Sequence, residues 1–324
     1  MIKSMGEKND IRYFSMFTGV GGFELGLERA TNNSEGQHLP KQWSSRTDSI
    51  GTGNIPNSST GQEGRDGRNA FSCVGFSEID KYANQLLKAK FPNIPNFGDC
   101  TRINAHELPD FDMLCGGFPC QSFSIAGKRR GFQDTRGTMF FEIARILEVK
   151  RPKIVWLENV KGLLNHDKGQ TFRVIIQTLH ELGYDVQWMV LNSKFFGVPQ
   201  NRERVFIIGS LRNQPRPEIL PFRQISSEIN ELCGQQTNSI KARYTAIGDG
   251  SYVAKSKFNA QTQMKIRRLT PTETERLQGF PDGWTSGFSD TQRYKMMGNA
   301  VTVNVIQAIA EKLKVTALLE GDGK

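Results

Sequence analysis

The chain is poor in cysteine and histidine and has no long hydrophobic run. Its 324 residues include five cysteines and four histidines, which form neither a CxxC pair nor the cysteine/histidine spacing of a zinc site. A disulfide framework and a zinc domain are therefore disfavoured, and we predict no metal site. No apolar run approaches the roughly 20 residues of a membrane span, and residues 1–10 have no apolar signal-peptide core. We expect a cytoplasmic protein with no membrane partner.

Acidic residues are fewer than basic ones. The sequence has 42 Lys and Arg residues against 33 Asp and Glu residues, which gives a formal net charge of +9. This excess favours a polyanionic partner such as nucleic acid, although a basic enzyme without such a partner has the same balance. At this length the chain can bury a sizeable core and can form one large domain or two.

Apolar segments and amphipathic segments alternate along most of the chain. Apolar-rich segments predict six strands, over 11–17, 71–76, 111–115, 153–157, 186–191 and 205–208. Between several of them, apolar residues at helical spacing predict helices, including those over 81–90 and 171–182. The alternation predicts an α/β fold with a doubly wound, parallel, Rossmann-like sheet.

Two segments interrupt this alternation. Residues 31–69 hold only four large apolar residues among Ser, Gly, Asn, Thr and Gln, which predicts a polar insertion that adds little to the core. Residues 211–265 hold eight Lys and Arg residues against four Asp and Glu residues and show no clear periodicity. We predict a separate, small and irregular domain over 211–265. Helix-competent sequence returns at Thr270.

One cysteine follows a proline at the end of a predicted strand. The glycine pair at 116–117 ends the strand and Pro119 turns the chain, so we expect Cys120 at the rim of the sheet, where open α/β folds bind ligands. A thiolate in that position is a nucleophile. Because a single cysteine is more often an inert buried residue, Cys120 alone does not decide between the two interpretations.

A glycine turn follows the first predicted strand and begins a helix. The turn over 17–22 would let the backbone approach a ligand, and Glu78, at the end of the next strand, could accept hydrogen bonds from ribose hydroxyls. Asp99 could meet an adenine amino group or be an ordinary turn residue. Because the spacing is not quite GxGxxG, a dinucleotide, S-adenosylmethionine and no ligand at all remain open.

Charged residues border two further predicted strands. Glu158 ends an otherwise apolar strand, where an acid needs a partner or a catalytic task, although a place beside a helix cap is the structural alternative. Arg202 and Arg204 precede another strand. Alternate residues of a strand point the same way, so the two arginines should share a face, unless the segment is an ordinary charged edge.

Six segments, taken together and in this order, resemble the motif series of the DNA (cytosine-5)-methyltransferase family, in the form of the bacterial or phage methylases of type II restriction-modification systems. They are FTGVGG, GFPCQSFSIAG, LENV, QNRER, RRLTPTETERLQGFPD and GNAVTVNV. The resemblance covers residues 11–210 and 266–310 and leaves the basic segment and the insertion unmatched. Many relatives carry Asp where this chain has Ser15, which affects one expected cofactor contact.

The resemblance implies a DNA (cytosine-5-)-methyltransferase that transfers a methyl group from S-adenosyl-L-methionine to C5 of a flipped-out cytosine in double-stranded DNA. Its catalytic domain would comprise 1–210 plus 296–324, with the polar insertion at about 31–69. The target-recognition domain would be 211–265, and 266–295 would be a hinge segment leading back to the catalytic domain. We expect a monomer that protects host DNA from a companion restriction endonuclease.

The resemblance also implies roles for individual residues. Cys120 would add to C6 of cytosine, Glu158 would stabilise the ring at N3 and the exocyclic amine, and Arg204, with Arg202 nearby, would hold the carboxylate and the base. The implied cofactor-binding residues are Phe17, Thr18, Gly19, Gly21, Gly22, Glu78, Ile79, Asp99, Cys100, Pro119, Asn299 and Val301. The implied DNA-binding residues are Ser122, Lys128, Arg129, Arg130, Arg136, Lys241 and Arg243.

Three other functions compete with this interpretation. A tRNA cytosine-5 methyltransferase would use the same motifs, but the separate basic segment favours duplex DNA, which such a module reads through the major groove. An inactive DNA-binding paralogue would not need Cys120, Glu158 and Arg204. A nicotinamide-dependent oxidoreductase would explain the glycine turn alone.

Overall fold

The computed structural model describes residues 10–32, 71–119, 139–214, 219–220, 237–238, 252–255 and 265–321. Most of the predicted insertion and of the predicted recognition domain therefore lies outside the described residues. No helix within these ranges is long and apolar enough to cross a membrane.

Six strands form the central sheet. They are β1 (Ile11–Met16), β2 (Phe71–Ser77), β3 (Met113–Gly117), β4 (Ile154–Val160), β5 (Tyr184–Asn192) and β7 (Glu203–Leu211). All six coincide with predicted strands to within a few residues. Short pairs elsewhere comprise β6 (Gln200–Asn201) with β8 (Thr237–Asn238), and β9 (Tyr252–Lys255) with β10 (Lys265–Arg268).

The helices lie between and after these strands. They are α1 (Gly22–Asn32), α2 (Lys81–Lys90), α3 (Met139–Lys150), α4 (Gln170–Glu181), α5 (Pro271–Leu277), α6 (Asp290–Asn299) and α7 (Val303–Gly321). Helix α5 begins where the sequence predicted it. Thr270 and Glu273 form a reciprocal capping box, and Pro271 occupies the first turn, where its missing N–H costs nothing.

The sheet has the strand order β2-β1-β3-β4-β7-β5. The first four strands are parallel, as predicted, but β7 runs antiparallel to both β4 and β5. The expectation of an all-parallel sheet is therefore wrong for this strand. A parallel crossover needs a dozen or more residues, and only 193–202 join β5 to β7, so the chain returns antiparallel. From β1 the chain adds β2 on one side and β3 on the other, so the direction in which strands are added reverses between β1 and β3. Such a reversal places a ligand cleft at the carboxyl ends of these two strands.

Alternating side chains of the strands fill a core on each face of the sheet. Phe14 of β1 packs with the buried residues of α3 and α4, while its neighbour Tyr13 packs with those of α1 and α7. Gly26 lets α1 and α7 approach closely, since a Cβ atom there would lie 2.6 Å from the Cβ of Ile306. Lys314 of α7 donates to the carbonyl of Ala30 at 3.0 Å, so the last helix returns to the first.

A buried carboxyl group lies in the first turn of α1. Glu24 is 2% exposed, and within the described structure neither carboxyl oxygen has a hydrogen-bond partner. Burial raises the pKa of Glu24 to about 7, and the charge of Glu78 acts in the same direction. Among the described residues, its other polar neighbours include Tyr13 and the thiols of Cys73 and Cys115, and none of these three is a cation.

Replacing Glu24 with glutamine should therefore change how stability depends on pH. The folded-state pKa is about 7 against an ordinary value of 4.5, so the unfolded chain loses its proton first as the pH rises. Wild type should lose about 3 kcal/mol of unfolding free energy between these pH values, and no more above them. Urea unfolding followed by tryptophan fluorescence should show this loss in wild type and not in Glu24→Gln. Parallel pH curves for the two proteins would contradict the assignment.

Candidate active site

A cavity of about 630 Å³ lies at the carboxyl ends of β1, β3 and β4. Residues from the glycine turn, from the start of α2, from the ends of β3 and β4, from the start of β7 and from α6 line it. Eight of the residues singled out from the sequence belong to this lining: Phe17, Gly19, Glu78, Pro119, Glu158, Arg202, Arg204 and Asn299.

Glu78 organises one wall of the cavity. Its carboxylate accepts hydrogen bonds from the backbone amides of Gly19 at 2.7 Å, Ile79 at 2.8 Å and Asp80 at 2.7 Å. The glycine turn is thus tied to the start of α2. Gly19 has a φ of 59°, in the left-handed region that glycine adopts without strain. A carboxylate has about four acceptor sites, so Glu78 keeps capacity for one further donor.

Four other residues of the predicted cofactor set pack the structure beside this wall. Thr18 donates to the Ser15 hydroxyl at 3.2 Å and closes the turn. A Cβ atom at Gly21 would lie 2.7 Å from the ring of Phe91, and one at Gly22 would lie 2.7 Å from the side chain of Val301. These positions need small residues because the chain packs tightly there. None of the four, Val301 included, belongs to the cavity lining.

Three more predicted cofactor residues also lie outside the lining. Asp99 accepts hydrogen bonds from the amide and hydroxyl of Thr101, which lower its pKa, and so it caps a short helical turn. Cys100 is buried, and burial raises the pKa of its thiol to about 11. Ile79 is 72% exposed beside the cavity wall. Asp99 thus caps a turn through one carboxylate oxygen, and its contact with an adenine amino group stays a prediction.

The opposite wall holds a partly buried ion pair. Arg204 Nε lies 2.9 Å from Glu158 Oε1, and the two side chains are 16% and 12% exposed. Burial raises the pKa of Glu158, although the charges of Arg204 and Arg202 act to lower it. Compared with a free glutamate, this carboxyl therefore keeps its proton to a higher pH.

Two residues to which the sequence analysis gave no role at the site hold this wall in place. Asn159, 3% exposed, donates to the carbonyl of Phe118 at 2.9 Å and accepts from the amide of Val160 at 2.8 Å. It fastens the end of β4 to the segment that leads to Cys120. A Cβ atom at Gly117 would lie 2.9 Å from Glu158 Oε2. Any larger residue would therefore displace the carboxyl group. Both residues lie inside the quoted motifs, which is the signal that could have found them.

Arg202 and Arg204 both line the cavity, but their guanidinium groups have different partners. Arg202 is 2% exposed and donates to the carbonyls of Gly298 at 3.0 Å and Ala300 at 2.8 Å. It therefore fixes the segment between α6 and α7, next to Asn299. This arrangement makes Arg202 a positioning residue, whereas Arg204 contacts the acid directly.

The remaining predicted site residues lie outside the described residues. They are Cys120, Ser122, Lys128, Arg129, Arg130, Arg136, Lys241 and Arg243. Pro119, the residue directly before Cys120, lines the cavity. In the part of the chain that the structure describes, no group of three or more His, Cys, Asp or Glu side chains could hold a metal ion.

Comparison with known proteins adds independent information. A family model described as C-5 cytosine-specific DNA methylase matches residues 11–245 and 222–315. The type II methyltransferase M.NlaX of Neisseria lactamica is 39% identical over 97% of this chain and 99% of its own length. M.HhaI of Haemophilus parahaemolyticus is 33% identical over 93% of each chain.

Solved structures agree at the level of the fold. A DNMT2 variant from Spodoptera frugiperda superimposes with a TM-score of 0.67 at 19% identity, over 95% of this chain and all of that one. The Entamoeba histolytica methyltransferase EhMeth gives a TM-score of 0.62 at 18% identity, over 94% and 98%. Both support the Rossmann-like fold class.

Proposed function

Because this chain belongs to the C-5 cytosine-specific DNA methylase family and is a DNA cytosine-5 methyltransferase, we propose that it uses S-adenosylmethionine and a covalent adduct with Cys120 to methylate a flipped-out cytosine. The observation that carries the proposal is the partly buried Glu158–Arg204 pair, which shares a cavity with Glu78 and with Pro119, the residue before Cys120.

The cavity residues suit S-adenosylmethionine. The volume of the cavity is within the range of small-molecule sites. Glu78 keeps acceptor capacity for a ribose hydroxyl, and Phe17 offers an aromatic face. When bound, this cofactor supplies an electrophilic methyl group. Glu78, Phe17, Gly19 and Asn299 would hold it in place. The residues that hold the cofactor would in turn be kept in position by packing against residues outside the cavity lining, namely Thr18, Gly21, Gly22, Cys100 and Val301.

The chemistry of cytosine explains why the site needs a thiol and an acid. C5 is a poor nucleophile, but addition of the Cys120 thiolate to C6 makes it an enamine carbon that can take up a methyl group. Glu158 would stabilise the charge that develops at N3, and burial, which raises its pKa, favours the protonated form that donates to this nitrogen. Arg204 holds the carboxyl against the base. Loss of the C5 proton and then of the thiolate restores the aromatic ring.

The same proposal covers recognition and biological role. A base inside a duplex cannot reach the cavity, so it must be flipped out. Residues 211–265 would read the DNA sequence, with Lys241 and Arg243 on phosphates, and the loop carrying Lys128, Arg129, Arg130 and Arg136 would close over the base. The enzyme would act as a cytoplasmic monomer that protects host DNA from a companion restriction endonuclease.

A transfer assay tests the activity and its substrate together. Purified protein with methyl-labelled S-adenosylmethionine should label duplex DNA and leave total tRNA unlabelled. Bisulfite sequencing of DNA from cells that express the protein should find methylated cytosines at one recurring sequence. Labelling of tRNA alone would overturn the proposed substrate. Absence of labelling in both would overturn the use of this cofactor.

A further inference from the structure

An ion pair joins two separate elements at the cavity. Lys295 Nζ in α6 lies 2.9 Å from Asp80 Oδ2, and the two residues are 215 positions apart in the sequence. Both line the cavity. The other carboxylate oxygen of Asp80 accepts from the amides of Tyr82 at 2.9 Å and Ala83 at 3.1 Å, which caps α2. One carboxylate therefore fixes the start of a helix with one oxygen and holds a lysine with the other.

The two partners lie on separate parts of the cavity lining, Asp80 on the wall of Glu78 and Lys295 on a further wall that α6 forms with Asn299. Asp80 donates its backbone amide to Glu78 at 2.7 Å, so its position follows that of the proposed ribose-binding carboxylate. Lys295 precedes Asn299 by four residues of α6, which places both on one face of the helix. The ion pair thus connects the wall of Glu78 with the wall of Asn299.

The location and exposure of the pair indicate that it lies at the mouth of the cavity. The side chains of Lys295 and Asp80 are 49% and 37% exposed although both line the cavity. Burial acts to raise the pKa of Asp80, but the hydrogen bonds from Lys295 and from the helix amides outweigh it and lower the pKa. Asp80 is therefore charged at neutral pH. An ion pair so exposed adds little to folding stability and weakens as salt is added.

We propose that Lys295 and Asp80 are positioning residues that form a latch, which slows the exchange of bound cofactor by joining the two walls across the mouth. This inference rests on the proposed cofactor site and adds a role for two residues that the methyl-transfer chemistry does not use. Closure by a solvent-exposed ion pair has a clear consequence: release should depend on salt, because screening opens the latch.

The test measures release of S-adenosylhomocysteine from the full-length protein without DNA, by stopped-flow displacement. Asp80→Asn keeps an oxygen that can cap α2 but removes the charge, and Lys295→Gln removes the other charge. Each variant should release the probe about two- to fivefold faster at low salt, the range expected for an exposed ion pair. The double variant should be no faster than the faster single one. Wild-type release should accelerate with added salt, and release from the variants should not.

Lys81→Gln is the matched control. Lys81 follows Asp80 directly and is exposed. Its replacement removes one positive charge, as Lys295→Gln does, but leaves the Lys295–Asp80 pair intact. The release rate of Lys81→Gln should therefore equal that of wild type. Equal rates in wild type and in the Asp80 and Lys295 variants, or additive effects in the double variant, would overturn the latch. If wild type binds neither S-adenosylhomocysteine nor S-adenosylmethionine, the proposed cofactor itself fails, which is a different outcome. Thermal unfolding midpoints should agree among the variants.

Discussion

Cys120→Ser should abolish methyl transfer to duplex DNA. A serine hydroxyl stays protonated at neutral pH and adds poorly to C6, so the first bond of the proposed mechanism would not form. The described cysteines cannot take over this role, because burial raises the thiol pKa of each. The thiol pKa is about 12 for Cys73 and about 11 for Cys100, and the pKa of Cys115 is raised as well. Initial rates with labelled S-adenosylmethionine measure the effect.

Covalent trapping supplies the second half of this test. A duplex with 5-fluorocytosine at the target position should form a denaturation-resistant complex with wild type, since fluorine cannot leave as the C5 proton does. Cys120→Ser should form no such complex. Cys73→Ser should form the complex and retain most of the transfer rate, because the Cys73 thiol is held protonated by burial. Trapping by Cys120→Ser would move the nucleophile to another residue.

The sequence predicted the strands well because their signal is local. Apolar runs bounded by glycine, proline or a charged residue predicted all six strands of the sheet, and the return of helix-competent sequence at Thr270 predicted the start of α5. Strand direction is not local. The reversal of β7 follows from the length of the segment after β5, and hydrophobic patterning contains no information on direction.

The same difference between local and non-local features separates what could and could not be predicted of the site. The motifs named the ion pair of Glu158 and Arg204, because charged residues beside apolar strands stand out in a sequence. They did not separate Arg202 from Arg204, whose different partners depend on where the chain returns after α6. The buried Glu24 was also not foreseeable, since an acid in the first turn of a helix is usually exposed and favourable there.

Glu158→Gln should lower kcat for methyl transfer by about a hundredfold or more, the usual range for losing a positioned acid. The amide keeps the shape of the side chain but has no acidic proton to give to N3, and it weakens the contact with Arg204 that holds the side chain against the base. Binding of S-adenosylhomocysteine should change little, because Glu78 and the glycine turn lie on the other wall. Single-turnover rates and a binding titration separate the two quantities.

The pH dependence identifies what Glu158 contributes. Its pKa is raised by burial, and the proposed mechanism uses the protonated form, so wild-type activity should fall as the pH rises through that pKa. This limb of the pH–rate profile should be absent from Glu158→Gln. Glu203→Gln is the control, since Glu203 pairs with Lys161 at the surface and should leave both rate and profile unchanged. A Glu158→Gln enzyme with the wild-type profile at a uniformly lower rate would mean that the carboxyl acts only as a scaffold for Arg204.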